Sequence, residues 1–161
     1  MSDTQIHRMV ITSPLGPMTI SEQNGAIIGL DWRAESATAP TPLLRRAADH
    51  LADYFAGRRR DFDLPLAPQG TAFQQKVWRR MANIPYGKVI TYGDLAHAVG
   101  SAPRAIGGAC GRNPIAIILP CHRVIGGSGA LTGYSGAGGV NTKQFLLELE
   151  GALTPGFAIS A

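Results

Sequence analysis

Residues 113–126 run Asn113-Pro114-Ile115-Ala116-Ile117-Ile118-Leu119-Pro120-Cys121-His122-Arg123-Val124-Ile125-Gly126, and the architecture reads outward from them. Asn113-Pro114 stops the preceding helix, because proline lacks an N–H and pushes its neighbour out of the α region. The apolar, largely β-branched run Ile115–Leu119 predicts a short buried strand. Pro120 ends that strand, which sets Cys121 just beyond a rigid core element.

Upstream, Thr91 can cap a helix over Tyr92 to Val99, Gly100-Ser101-Ala102 breaks it, and Pro103 opens a second helix to about Gly111. Two short helices about a glycine-containing turn make a helix-turn-helix candidate; a plain helical hairpin has the same composition. Earlier still, Thr71 can cap a helix with Phe73, Val77, Trp78 and Met81 on one face, closed by Ile84-Pro85-Tyr86-Gly87, and Phe73 and Trp78 are expected in the core. Downstream, the glycines from Gly126 to Gly139 suit backbone approaching a ligand closely, or a mobile surface loop. A last helix from about Asn141 to Glu150 would turn Phe145, Leu146 and Leu149 inward.

The N-terminal part has a different pattern. Val10-Ile11-Thr12, Met18-Thr19-Ile20 and Ala26-Ile27-Ile28-Gly29-Leu30 alternate loosely, and Asn24-Gly25 falls where a tight hairpin wants positive φ, so a small antiparallel sheet is predicted. Thr41-Pro42 then starts an amphipathic helix through Leu43, Leu44, Ala47, Leu51, Tyr54 and Phe55, stopped by Gly57, to cover that sheet. Arg58-Arg59-Arg60 and the prolines of Leu64-Pro65-Leu66-Ala67-Pro68 interrupt every period. The boundary is placed there, giving an N-terminal domain over 1–68 and a second over 69–161. The arginine run reads as a solvated linker, with a DNA-contacting tail as the alternative. The expected fold is α+β: a small N-terminal antiparallel sheet with a covering helix, then a mostly helical domain with the helix pair and a short active-site strand.

With 161 residues, 45% hydrophobic and 16% charged, the composition is globular rather than disordered. No apolar stretch approaches a membrane-spanning length and Met1-Ser2-Asp3-Thr4-Gln5 shows no signal pattern, so a soluble cytoplasmic protein is expected. Two cysteines, Cys110 and Cys121, are too few for a disulfide scaffold or a four-thiolate zinc site, and no structural metal or cofactor is expected. Residues 1–68 carry seven basic and eight acidic side chains, whereas 69–161 carry eight basic and three acidic ones. That asymmetry suits a polyanion partner, although ordinary enzymes also carry such balances.

A cysteine reacts as its thiolate, so a nucleophilic one needs a base, a positive neighbour or helix dipoles. Cys121 is followed by His122 and Arg123, yet neighbours on extended chain point to opposite faces. His122 could reach the sulfur only by a backbone bend or through a water. On the residues alone, an inert buried cysteine beside a structural histidine is the default reading.

Residues 113–126 resemble the active-site signature of the O6-alkylguanine-DNA alkyltransferases, also called methylated-DNA-protein-cysteine methyltransferases. The resemblance extends upstream through Tyr92-Gly93-Asp94-Leu95-Ala96 and Arg104-Ala105-Ile106-Gly107-Gly108-Ala109. Downstream it runs through Leu131-Thr132-Gly133-Tyr134-Ser135-Gly136 to Leu146-Leu147-Glu148-Leu149-Glu150-Gly151, covering about residues 70–152. It implies repair by direct transfer, in which a cysteine thiolate takes the alkyl group from O6 of guanine in double-stranded DNA and keeps it, so that each molecule acts once, as a monomer.

By the same resemblance Cys121 is the acceptor, His122 its base through a bridging water, and Glu150 the group orienting that histidine. Tyr92 would donate a proton or hydrogen bond to the guanine ring. Asn113 would hold the turn between recognition helix and active site, and Val124, Tyr134 and Ser135 would frame the base. The damaged nucleotide would be flipped out of the stack, with Arg104 filling the space and Gly107 and Gly108 giving the helix a small face for the minor groove. Cys110 is read as packing. The chain departs from the family pattern twice: it is about two residues shorter between Tyr92 and Arg104, and about two longer between Tyr134 and Lys143.

Three other readings compete. A recognition module that flags alkylated DNA without repairing it would replace the acceptor cysteine, which is present here. A transcriptional regulator of the adaptive-response type would carry a further zinc-thiolate domain. A turnover cysteine hydrolase would need another histidine motif, and His7, His50 and His97 lie in unremarkable contexts.

Overall fold

A computed structural model describes residues 5–128 and 139–152. The chain forms two compact units: one holds the described residues up to Gln69 together with Pro114–Ala116, the other Gly70–Asn113 and the described residues from Ile117 onward.

The first unit is built on an antiparallel meander of β1 (His7–Ser13), β2 (Gly16–Gln23) and β3 (Ala26–Asp31). The β2–β3 hairpin turns at Asn24 and Gly25, both at positive φ (54° and 76°), the backbone that a two-residue turn matching strand twist requires. The central strand is buried on both faces. Met18 and Ile20 meet the core, while on the opposite face the hydroxyl of Thr19 donates to Arg33 O (2.6 Å) and accepts from Glu35 N (3.0 Å).

Helix α1 (Pro42–Phe55) covers the meander with Leu44, Ala47, Leu51 and Tyr54, leaving Leu43 and Phe55 outside the fully buried set. Its N-cap Thr41 accepts from Leu44 N and donates to the buried carboxylate of Glu22, tying helix start to strand. The open edge of β3 is covered by two passing segments: Ile27 pairs with Leu66 and Leu30 with Ile115.

That last pairing corrects the strand predicted over Ile115–Leu119. Only Ile115 makes a bridge, and Ile117 then adopts φ 70°. A β-branched residue avoids left-handed backbone, which holds here on the order of 1–3 kcal/mol of strain. The apolar run is a buried, irregular turn: Ile115, Ile117 and Leu119 are hidden, and the strand pairing in this region comes later in the chain.

In the second unit α2 (Ala72–Met81), α3 (Tyr92–Val99) and α4 (Pro103–Gly111) pack on one another through Val77, Trp78, Met81, Leu95, Val99, Ile106 and Ala109. Thr71/Gln74 and Thr91/Asp94 close capping boxes at the starts of α2 and α3. The Trp78 indole N–H donates to Ala109 O at 2.9 Å, and a Cβ on Gly70 would lie 2.5 Å from the Trp78 ring, so only glycine fits there. Trp78 is core as expected, but Phe73 is not: it lies at 37% exposure on the outer side of α2. Helix α3 ends at Gly100 in the left-handed region, and after the three-residue turn α4 begins on Pro103.

Strand β4 (Ile90–Thr91) pairs in parallel with β5 (Val124–Ile125), which follows a single 3-10 turn at Cys121–Arg123. In α5 (Val140–Leu149), Leu146 and Leu147 are fully buried, whereas Leu149 is only half-buried. No helix among the described residues is long and apolar enough to cross a membrane.

Candidate active site

Cys121 opens the 3-10 turn and is 8% exposed. The β4–β5 pairing holds this turn beside the N-terminus of α3, where Tyr92 is the first helical residue. Asn113, just past α4, reaches across the irregular turn: its amide donates to Leu119 O at 2.7 Å and also bonds the Cys121 sulfur. Burial pushes the Cys121 thiol up. The Asn113 amide, the nearby Lys143 ammonium and the backbone N–H groups of Cys121 and His122 pull the other way, each favouring a thiolate at this sulfur.

His122 is fully buried and turned to Glu150, Nε2 to Oε2 at 2.7 Å. Burial holds its imidazole below the ordinary histidine range even though Glu150 draws it upward. A neutral ring facing a carboxylate must carry its proton on Nε2, and Nδ1 is then a lone-pair acceptor. Nδ1 has no hydrogen-bond partner among the described residues, and no direct bond joins the ring to the Cys121 sulfur.

Glu150 is ionised despite its burial, because His122 and Arg123 hydrogen bonds hold its carboxyl down to about 2. Arg123 supplies a fork, Nε to Oε1 at 2.8 Å and Nη2 to Oε2 at 3.0 Å, and its third donor goes to Ile84 O at 2.7 Å. Gly87 (φ 79°) packs against this cluster: a Cβ there would stand 3.1 Å from Glu150 O. Arg123, His122 and Glu150 thus form one buried, hydrogen-bonded group.

Lys143 is the second buried cation, with no exposed surface. Its Nζ donates to Val124 O at 2.5 Å and to the Tyr92 hydroxyl at 3.3 Å, and lies 5.4 Å from the Tyr92 ring centre. Burial lowers its pKa to about 8, and the neighbouring cysteines oppose that shift. Sequence pattern alone does not single out Lys143 or assign Arg123 a role. The signal for Lys143 is its position: it stands three and four residues before Leu146 and Leu147, so a lysine occupies the buried face of the last helix.

The sequence-predicted residues are therefore brought together in part. Cys121, His122, Asn113, Val124, Tyr92 and Glu150 share one neighbourhood through these bonds. Arg104 is exposed in the first turn of α4 and makes no ion pair among the described residues. Gly107 and Gly108 lie on the same helix, and a Cβ at either would meet open space, so interior packing does not require them. Tyr134 and Ser135 lie outside the described residues. Cys110 is buried with its sulfur 3.9 Å from that of Met81, and burial pushes its thiol up to about 12.

A buried cysteine, a histidine–carboxylate pair and a helical unit with exposed cations make up the site, and comparison with known proteins gives the chain a family. The model of the 6-O-methylguanine DNA methyltransferase DNA binding domain matches residues 72–152, and that of the 6-O-methylguanine DNA methyltransferase ribonuclease-like domain matches residues 6–68. The methylated-DNA-protein-cysteine methyltransferase of Mycobacterium tuberculosis is 46% identical over 159 residues, covering 93% of this chain and 95% of the relative. The constitutive enzyme of that name from Bacillus subtilis is 45% identical over 151 residues, covering 86% and 91%. A crystal structure of the M. tuberculosis O6-methylguanine methyltransferase superposes with TM-score 0.82 at 43% identity, covering 95% of this chain and 97% of that one. A structure of the M. tuberculosis protein in complex with DNA gives TM-score 0.82 at 45% identity over 91% and 93%.

The chain belongs to the 6-O-methylguanine DNA methyltransferase family of DNA repair proteins, in the enzyme class of the methylated-DNA-protein-cysteine methyltransferases.

Proposed function

We propose that the protein repairs O6-alkylguanine in double-stranded DNA by moving the alkyl group irreversibly to Cys121, once per molecule and as a monomer. The observation that carries this reading is what surrounds the Cys121 sulfur: hydrogen bonding from the Asn113 amide and two backbone N–H groups, and the charge of the buried Lys143 ammonium held on Val124 O and Tyr92. A buried cysteine with no such set would be inert.

The step balances without a cofactor. His122, with Nε2–H committed to Glu150, takes the thiol proton on Nδ1 through a water. The thiolate attacks the alkyl carbon, an S–C bond forms, and the C–O6 pair returns to guanine. Tyr92, which accepts from Lys143, donates its own hydroxyl proton toward the ring to neutralise the departing base. Arg123 keeps Glu150 ionised and in place. Val124, Tyr134 and Ser135 frame the base, and Asn113 holds the turn that carries the sulfur.

The base has to leave the duplex, since a stacked nucleotide cannot reach a sulfur only 8% exposed. The outer face of α4, with Gly107 and Gly108 lacking side chains, suits close approach to a minor groove, and Arg104 is placed in its first turn to fill the gap left by the flipped base.

Intact mass spectrometry after incubation with an oligonucleotide containing O6-methylguanine tests the reading. One methyl group gained per protein, mapped to Cys121, is expected; lesion binding with no mass change makes the protein a recognition module instead. An O4-alkylthymine oligonucleotide in the same assay decides whether the pocket also accepts that lesion.

A further inference from the structure

Helix α2 carries a cationic stripe that the chemistry at Cys121 does not use. Val77, Trp78 and Met81 face inward, and Lys76, Arg79 and Arg80 are exposed. At 3.6 residues per turn the three cations fall within an arc of about 100° on the side opposite the buried face. None meets a carboxylate among the described residues. Arg79 and Arg80 also offset the negative end of the helix, but Lys76, a turn earlier, gains little from that dipole. Phe73, whose ring would be expected inside, borders the same outer side.

Three such cations on two turns of a rigid helix repel one another unless an anion lies across them. Their spacing suits a polymer of phosphates better than a single small anion, which would need convergent donors. The helix is anchored to α4 by the Trp78–Ala109 hydrogen bond, so its position relative to that helix is set.

We infer that Lys76, Arg79 and Arg80 form a second DNA contact, binding the sugar-phosphate backbone of duplex outside the stretch engaged by α4. This rests on the reading of α4 as the groove-binding helix. The contact would be independent of base sequence and of the lesion.

The test is the salt dependence of binding to lesion-free duplex, so that it does not depend on alkyl transfer. On a duplex of about three helical turns, the K76Q/R79Q/R80Q variant should have a log K against log[salt] slope shallower than wild type by about 2–3, at roughly 0.9 for each phosphate no longer neutralised. On a duplex of about one turn the two proteins should bind alike. Arg45→Gln, an exposed cation of the first unit with no ion-pair partner among the described residues, serves as the control for net charge and should leave the slope unchanged. Circular dichroism of the triple variant should match wild type and its thermal midpoint should fall only slightly, because none of the three residues packs in the core or pairs with a carboxylate among the described residues and only the helix-end contribution of Arg79 and Arg80 is lost.

A wild-type slope on the long duplex overturns the inference, as does an equal loss on the short one, or a per-charge effect for Arg45→Gln as large as that of the stripe. Failure of wild type to take up a methyl group would instead overturn the proposed function and leave the slope comparison standing.

Discussion

The two units use their charges in opposite ways. In the first, five arginines are paired and Arg45 is the exposed exception: Arg8 and Arg33 share Glu35, Arg46 meets Asp63, Arg58 meets Asp53 and Arg59 meets Asp61. In the second, Lys76, Arg79, Arg80, Lys88, Arg104 and Arg112 are exposed and meet no carboxylate among the described residues. Its two engaged cations, Arg123 and Lys143, are buried against Glu150, Val124 and Tyr92. Exposed ion pairs add little stability, so the first unit's pairs mainly neutralise its surface. The second unit puts charge to two other uses: outside, where it can meet an anion, and inside, where low dielectric makes each partner matter. A net charge summed over the whole chain hides this division.

The two units differ most at the sulfur. Cys121→Ala should abolish methyl uptake in the mass assay while lesion-duplex binding survives in a gel-shift titration; methyl uptake by the variant would show that another group is the acceptor. No single substitution in the first unit should do the same.

The next largest effect belongs to Lys143. Because burial raises the Cys121 thiol and Lys143 opposes that shift, the transfer rate of wild type should climb as pH rises through the thiol range. Lys143→Met should move that climb to higher pH and lower the rate at neutrality by an order of magnitude or more, roughly 1.4 kcal/mol per tenfold. An unshifted pH–rate profile would leave Lys143 with a packing role only.

Arg123→Met leaves a buried carboxylate half-paired and should cost about 3–5 kcal/mol in a denaturant melt of the second unit. The first unit offers the contrast: Arg46→Gln removes an exposed pair and should cost less than about 1 kcal/mol. Equal losses would mean that burial does not separate the two classes of pair.

Acid titration is of similar size. Glu150 falls from an ordinary 4.5 to about 2 in the folded protein, so its contribution is fully present above 4.5 and is lost as pH drops toward 2. At about 1.4 kcal/mol per pKa unit the loss is about 3 kcal/mol, and Glu150→Gln should flatten stability against pH across that window. The smallest effect belongs to Arg104→Gln: thermal midpoint unchanged, duplex affinity down, and the salt slope shallower by about one.

Much of the fold was legible because its signals are local. Thr41, Thr71 and Thr91 each cap the helix they precede, Asn24-Gly25 makes its hairpin, and Gly100 and Pro103 bracket the turn between α3 and α4. Each involves backbone groups within a few residues, where stereochemistry decides. The apolar run Ile115–Leu119 misled because hydrophobicity reports burial, and a buried turn needs apolar side chains as much as a strand does. Phe73 misled for the converse reason: the 3.6 period places it at the margin of the apolar face, and only the neighbouring helices decide whether a margin is covered.

Local sequence carries the set of helices and hairpins, the α+β class, and a cysteine set in a signature long enough to suggest its chemistry. Only folding brings His122 to Glu150 across 28 residues of chain and locks this carboxylate with Arg123. It also decided that Lys143 lies against Tyr92, and that Ile115 serves the first unit's sheet while Ile117 belongs to the second unit. The reason is physical. Caps and turns are set by dihedral angles and hydrogen bonds a few residues long, whereas the charge state and partners of a buried group depend on which distant surfaces exclude water from it.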